Sequence, residues 1–400
     1  MTHIGKYSEK QPVNHKDFLK DVLVCSLGAY GGPEAHMGVF IDQMVVKKHY
    51  LSEAELIELI ALCSILPGPT STQTIVSIGY KTGGPFLALL TMLVWALPVL
   101  MLMTLLSFLY QFFEHMNLDK NSLRFIGPMA VGFIVMAAYR INKKVVTDKM
   151  TFAIFLFGGV VTYFIRAPWV FPLVLIIGGT VSVIVSHEKN LWQRVKLNPP
   201  WVYLIVFSGI AIVSIILTLT WDNILVHLFE SFYRYGYLVF GGGQVVVPVM
   251  HSELVQVNQY MTNQEFLTGY GLVQGLPGPM FSFSAYAGGM AARSGGPVIQ
   301  ILGAVAGGIG IFLPGLLLIY FIYPVWENLK KIKGVKVSLK GINAVAGGMI
   351  GVAAIILMQQ SGFNFENIVV TAMTVLLLIS KKVPAPFMVL AVIIAGFLIG

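Results

Sequence analysis

Apolar stretches of roughly bilayer length recur along the chain, separated by short polar runs. Unbroken ones cover residues 84–113, 125–139, 150–165, 168–186, 201–219, 296–323, 341–358, 366–380 and 384–399, most of them near the roughly 20 residues a helix needs to cross a hydrocarbon core. Four more, 18–46, 52–81, 228–258 and 262–292, are apolar but interrupted by Gly and Pro. This pattern predicts an all-α polytopic membrane protein. Composition agrees, with 56% hydrophobic residues, 11% charged residues and a mean hydropathy of +0.79. A soluble domain has about a quarter of its residues charged, so soluble enzymes and nucleic-acid binders are excluded. The 26 Lys and Arg exceed the 18 Asp and Glu by eight, but the cations sit in short runs between apolar stretches and read as topology signals. Cys25 and Cys63 both lie in apolar sequence and read as small core residues, neither a disulfide framework nor a metal cluster. Lys6, Lys10, Lys16 and Lys20 punctuate the N-terminus without an adjoining apolar core, so no cleavable signal is expected and insertion begins with the first spans.

The interrupted stretches form two pairs offset by 210 residues: Tyr30-Gly31-Gly32-Pro33 answers Phe240-Gly241-Gly242-Gly243, and Leu66-Pro67-Gly68-Pro69 answers Leu276-Pro277-Gly278-Pro279. Between them, Ser52 to Glu55 and Thr262 to Glu265 each fit a helix-capping box. Residues 50–79 and 260–289 share 8 identities in 30 gapless positions, and Lys81-Thr82-Gly83-Gly84-Pro85 recurs two residues later than that register as Arg293-Ser294-Gly295-Gly296-Pro297. The chain therefore reads as an internal duplication, with halves at 1–195 and 196–400.

Lysine and arginine counts in short loops predict how each half faces. The N-terminus, loop 140–149 and loop 187–200 are rich in cations and expected to be cytoplasmic, as is loop 326–340 with five lysines. That last loop follows the span which, in the first half, leads to the acid-containing loop 114–124, expected outside. The expected fold is thus an inverted-topology internal repeat with Pro-Gly-Pro-broken, re-entrant or half helices, a pattern of secondary transporters that bind substrate near the midplane.

A helix from Ser52 to Leu66 would be about 20 Å long at 1.5 Å per residue, so it should stop inside the membrane. Pro67 lacks a donor, Gly68 tolerates unusual backbone angles and Pro69 suits the first position of a new helix. That helix starts at Thr70-Ser71-Thr72-Gln73, and its counterpart restarts at Met280 with Ser282 and Ser284 following. Free amides and the positive dipole end at such starts favour an anion. The richer hydroxyl content of the first copy predicts more anion contacts there. Gly31, Gly32 and Gly241 to Gly243 can serve close helix packing as well as close approach to a ligand. Glu34 and His36 have Gln244 and Val246 as counterparts, an asymmetry that suits one proton-handling copy; an aqueous interface is the alternative. Lys81 and Arg293 can attract an anion or anchor helix ends. No nucleotide, metal or catalytic motif is present in the sequence.

At these motifs the sequence resembles the chromate ion transporter family. Tyr30 to His36 reads as that family's aromatic-Gly-Gly-Pro-x-Ala-His turn, and Pro67 to Gln73 as its Pro-Gly-Pro-x-x-x-Gln break. Phe240 to Gly243 and Pro277 to Tyr286 match its second-half signature. The resemblance spans nearly the whole chain as a fused two-half member. It implies chromate movement across the cytoplasmic membrane of a prokaryote, as efflux conferring resistance, with the N-terminus cytoplasmic, no cofactor and no nucleic-acid partner. Sulfate is the rival substrate, since both are tetrahedral dianions. The substrate-binding set expected is Gly31, Gly32, Pro67 to Gln73 and Lys81 in the first half, and Gly241 to Gly243, Pro277 to Pro279, Ser282, Ser284 and Arg293 in the second. A proton is the expected coupling ion, membrane lipid surrounds the chain, and a homodimer is compatible. Sulfate or other oxyanion uptake, a passive anion channel and an intramembrane enzyme are the alternatives.

Overall fold

In the computed structural model, residues 13–116, 123–165, 167, 169–188, 190–192, 195–238, 240 and 243–399 are described, without the side chains of Pro33, Glu34, Glu114, His115, Gly243 and Ile399. Among these residues the chain is helical and contains no strand. The first half runs α1 (His15–Gly28), α2 (Pro33–Phe40) continuing as a π turn (Ile41–Lys47), α3 (Glu53–Ile65), α4 (Thr70–His115), α5 (Ile126–Val145), α6 (Lys149–Phe164) and α7 (Val170–Val185). After α8 (Trp201–Thr220), the same order returns as α9 (Ile224–Leu238), α10 (Val247–His251) with a second π turn (Ser252–Val257), α11 (Asn263–Gln274), α12 (Phe283–Ala292) and α13 (Pro297–Ile322). The chain closes with α14 (Trp326–Leu329), α15 (Lys333–Ser361), α16 (Phe365–Ser380) and α17 (Ala385–Ile399).

Stretches Thr70–Phe113, Trp201–Thr220, Pro297–Leu329 and Lys333–Ser361 are long and apolar enough to cross a membrane. The shorter apolar helices α6, α7, α16 and α17 accompany them; at 15 or 16 residues each they reach only about 24 Å. Large apolar side chains such as Phe164, Ile184, Ile205, Leu219 and Leu398 stand outward, where a bilayer and not water is their fitting solvent. Buried hydroxyls and amides, among them Thr74, Ser77, Thr91, Thr268 and Gln300, lie inside.

Two boundaries differ from the sequence expectation, and one is loop 140–149, through which α5 runs on to Val145. The cation-rich stretch 326–340 is mostly helical, because α15 begins at Lys333 and carries Lys336 and Lys340 in its opening turns. Lysine is a good helix former. Its charge is also met: Lys340 reaches Asp148 at 2.6 Å and Lys330 pairs with Glu58 and Glu327.

The two halves interleave. A Cβ on Gly341 of α15 would lie 2.0 Å from the Gly178 carbonyl of α7, and one on Gly348 would lie 2.2 Å from the Phe155 carbonyl of α6. Only glycine permits such backbone approach. α5 is likewise fixed to the other half, where Thr371 donates to the Pro128 carbonyl at 2.9 Å and Arg140 to the Leu378 carbonyl at 3.2 Å.

Candidate functional site

The interrupted hairpins form as their local sequence directs. Ser52 and Thr262 cap α3 and α11, each accepting from the N3 amide while Glu55 and Glu265 reach back to the cap amide. Each helix ends after 13 or 12 residues, short of a full crossing, and the chain then turns at Pro-Gly-Pro. Gly68 and Gly278 take φ of +126° and +95°, which L side chains rarely adopt. The new helices are α12 and the stretch of α4 from Thr70 to Thr82, beyond which Gly83 and Gly84 leave helical geometry. Residues 71–79 are all buried, as is every residue of α12. Both half-helices are therefore wrapped by protein, where unpaired amides must find protein, water or a ligand.

At the first break, Gln73 folds back so that its Nε2 donates to the Pro67 carbonyl at 2.8 Å, while its Oε1 is buried without a partner. The first helical backbone bond is Gln73 N to Pro69 O at 2.9 Å, so the amides of Thr70, Ser71 and Thr72 precede any helical acceptor. Thr72 Oγ1 accepts from Trp95 Nε1 at 3.1 Å. Pro69, Thr72 and Gln73 line a small cavity with Phe312, Gly315 and Leu316 of the second half.

The second break holds more unpaired donors. Ser282 and Ser284 are buried and their hydroxyls have no partner. Gln274 Nε2, Gln244 Nε2 and Tyr270 Oη converge on Met280 Sδ at 3.3, 3.9 and 4.0 Å. A thioether is a weak acceptor, so three donors aimed at one sulfur make a donor-rich pocket at a helix start. Tyr270 and Gln274, one turn apart on α11, were not singled out by sequence reasoning, and Gln244 entered it only as the counterpart of Glu34; the break brings Gln244 to the other two.

Each break docks on the opposite half. The Gly278 amide donates to the Ala29 carbonyl at 2.8 Å, beside the Gly31-Gly32 turn. Phe281 meets Phe312 edge-on with ring centroids 6.5 Å apart, and Phe312 also lines the cavity against Gln73. Trp95, absent from the sequence-derived set, joins the pieces. Ser26 donates to its carbonyl at 2.7 Å, and His36 and Phe40 pack edge-on against its ring at 5.4 and 5.3 Å.

His36 is buried, with Nδ1 unpartnered. Gly31 and Gly32 have φ of +86° and +88°, a turn that requires glycine. The side chains of Glu34 and Gly243, and residues Gly241 and Gly242 altogether, lie outside the described residues. Lys81 and Arg293 are engaged elsewhere, since Lys81 binds Glu55 Oε1 at 3.0 Å and Arg293 binds Glu265 Oε1 at 2.8 Å. These acids are the capping-box residues, so each clamp ties the distal end of a half-helix to the start of the preceding one. From Thr70 to Lys81 is about 16 Å along the helix at 1.5 Å per residue, which sets the cations well away from the breaks.

The arrangement offers amides, hydroxyls and carboxamides in a closed, polar interior, a chemistry suited to a small oxyanion. The chain matches the family described as "Chromate transporter" twice, over residues 17–222 and 226–399. It is 25% identical over 397 residues to a probable chromate transport protein of Synechococcus elongatus, covering 98% of this chain and 95% of that one. It is 27% identical over 378 residues to a chromate transport protein of Pseudomonas aeruginosa, covering 90% of this chain and 85% of the relative. The corresponding protein of Cupriavidus metallidurans is 25% identical over 375 residues, covering 92% of this chain and 88% of the relative. No solved structure matches. With the duplicated breaks, the polar interior and both halves matched, the chain belongs to the chromate transporter family and is a membrane transporter, not an enzyme.

Proposed function

We propose that this protein carries chromate across the cytoplasmic membrane of a prokaryote by secondary active transport, with efflux as the working direction. The dianion sits between the two Pro-Gly-Pro breaks. The observation that carries this reading is the pair of buried, unpartnered hydroxyls of Ser282 and Ser284, beside the start of the second half-helix. Amides of Thr70, Ser71 and Thr72, the Ser71 hydroxyl, and the side chains of Gln244, Tyr270 and Gln274 complete the donor set. Lys81 and Arg293 hold the hairpins and attract no substrate directly. Alternating access is expected of an inverted repeat with a cytoplasmic N-terminus, and because α5 to α7 lie against α15 and α16 the bodies that move are mixed from the halves 1–195 and 196–400. Sulfate shares the shape and charge of chromate, and a site of neutral donors has few means of separating them. The names of the relatives support chromate as cargo.

The test is uptake of labelled chromate by proteoliposomes of the purified protein under an imposed proton gradient, with sulfate as competitor. Saturable accumulation against the chromate gradient is expected. Flux that never saturates, or that fails to concentrate chromate in protein shown to be folded and inserted, would contradict the proposal.

A further inference from the structure

In both halves the opening helix meets its π turn at one matched pair of positions, 21 with 43 and, 210 residues on, 231 with 253. Each half buries one carboxylate there, but on opposite members of the pair. In the first half it is Asp21 on α1, which accepts from Gln43 Nε2 at 2.8 Å and Tyr50 Oη at 2.6 Å and pairs with Lys48 at 3.2 Å. One cation meets one acid.

In the second half the acid is Glu253 on the π turn, accepting from Ser231 Oγ at 3.2 Å. Among the described residues its cation is shared: Arg234 donates through Nε and Nη2 to Glu230 at 2.7 and 3.0 Å, and through Nη1 and Nη2 to Glu253 at 3.0 and 2.6 Å. Two carboxylates thus face one guanidinium, with side-chain exposures of 12% for Glu230, 7% for Glu253 and 17% for Arg234. Tyr235, fully buried, stands beside Glu253.

Among the described residues no second cation pairs with Glu230 or Glu253. On α9 itself stand His227, Tyr233 and Tyr237; tyrosines of the helices packed on it are engaged elsewhere, Tyr286 with the Glu265 carbonyl and Tyr320 with the Pro85 carbonyl, and Tyr203 lies against the Tyr320 ring. Tyr260 lies within electrostatic reach of Glu253 and Asp222, and His251, two residues before Glu253, is hydrogen-bonded to Asn263 at 2.9 Å. Arg293, whose Nη1 reaches the Tyr260 carbonyl, spends its charge on Glu265. An unbalanced negative charge at this depth is costly, and one added proton removes it.

We propose that Glu253 binds the proton whose gradient drives transport, a role that rests on the reading of the chain as a gradient-driven transporter. Serine and tyrosine hydroxyls can donate to the carboxylate and accept from the acid, so Ser231 and Tyr235 can serve both states. Protonation frees one fork of Arg234 and loosens the π turn that leads into α11 and the second break. π turns of this kind concentrate at functional sites.

Glu253→Gln imitates the protonated acid and leaves Arg234 balanced by Glu230. In proteoliposomes this variant should keep chromate counterflow between equal concentrations but lose accumulation driven by a pH gradient, together with chromate-linked proton movement. Accumulation and proton movement like those of the unmodified protein would overturn the assignment, as would coupling that follows a sodium gradient and vanishes in the variant. Infrared difference spectra over a pH titration, recorded without chromate, give an independent readout. A protonated-carboxyl band present in the unmodified protein should be lost in Glu253→Gln and kept in Asp21→Asn. Its persistence in Glu253→Gln would refute the proton site. A protein that shows the band but moves no chromate would instead locate the failure in the substrate reading.

Discussion

At the second break, Gln244, Tyr270 and Gln274 spend their donors on the sulfur of Met280. An oxyanion is a far better acceptor, and a hydrogen bond to a charged group contributes about 1.5–3 kcal/mol. Gln274→Met should therefore weaken chromate binding by roughly tenfold or more, whereas Met280→Leu, which removes only the weak acceptor, should leave affinity unchanged; isothermal titration of the detergent-solubilised protein separates the two. The hydroxyl-rich run Thr70 to Gln73 marked the first break in the sequence, yet Thr72 accepts from Trp95, Thr74 donates to the Thr70 carbonyl and Gln73 donates to the Pro67 carbonyl. Of the hydroxyls at the breaks, the buried ones with no partner at all are those of Ser282 and Ser284, at the second. Nothing local foretold that, because whether a hydroxyl is spent on the backbone depends on which helix packs against it.

Among the elements, the breaks were the most legible parts of the chain. Capping boxes, Pro-Gly-Pro and the Gly-Gly-Pro that follows act over a few residues, and each formed where its pattern stood. The two π turns were not foreseen, since an extra residue within a helical turn leaves no mark in hydrophobic period. At Gly68 a methyl group would combine a left-handed φ of +126° with a contact of 2.6 Å to Gln73 Nε2. Gly68→Ala should accordingly cost about 1–3 kcal/mol from backbone strain alone and displace Gln73, which thermal unfolding and chromate affinity would both register. The clamps make a different forecast. Arg293→Gln removes the partner of the buried Glu265 carboxylate and should lower the unfolding temperature while leaving chromate affinity near its original value; a large affinity loss in folded protein would return Arg293 to the binding site.

Over the whole molecule, stability depends on helices of one half lying against backbone of the other. Gly341→Leu would drive a side chain into the Gly178 carbonyl, which stands 2.0 Å from the Cβ position, and no rotamer relieves a backbone clash. Little folded protein should be recovered, as size-exclusion chromatography would show. This interleaving was beyond sequence reading, because small residues on α7 and α15 are 163 positions apart and carry no label of their partner. Outside the spans, Asp148 is held down to about 2 by Lys340 of the other half and by the Thr151 amide. A depressed carboxylate stabilises above its ordinary range and loses that contribution as pH falls toward the folded value; the exposed pair is worth under about 1 kcal/mol after solvent screening. Asp148→Asn keeps a cap and should flatten the acid limb of the unfolding profile slightly, which a pH series of melting curves would detect.

The central claim, a chromate site between the two breaks, is tested most directly by chromate affinity in Ser282→Ala/Ser284→Ala protein, because both hydroxyls are buried and otherwise unused. The double variant should remain folded and bind chromate at least tenfold more weakly, in line with about 1.5 kcal/mol or more for lost hydrogen bonds to an anion. Undiminished affinity in folded protein would place the substrate elsewhere in the molecule.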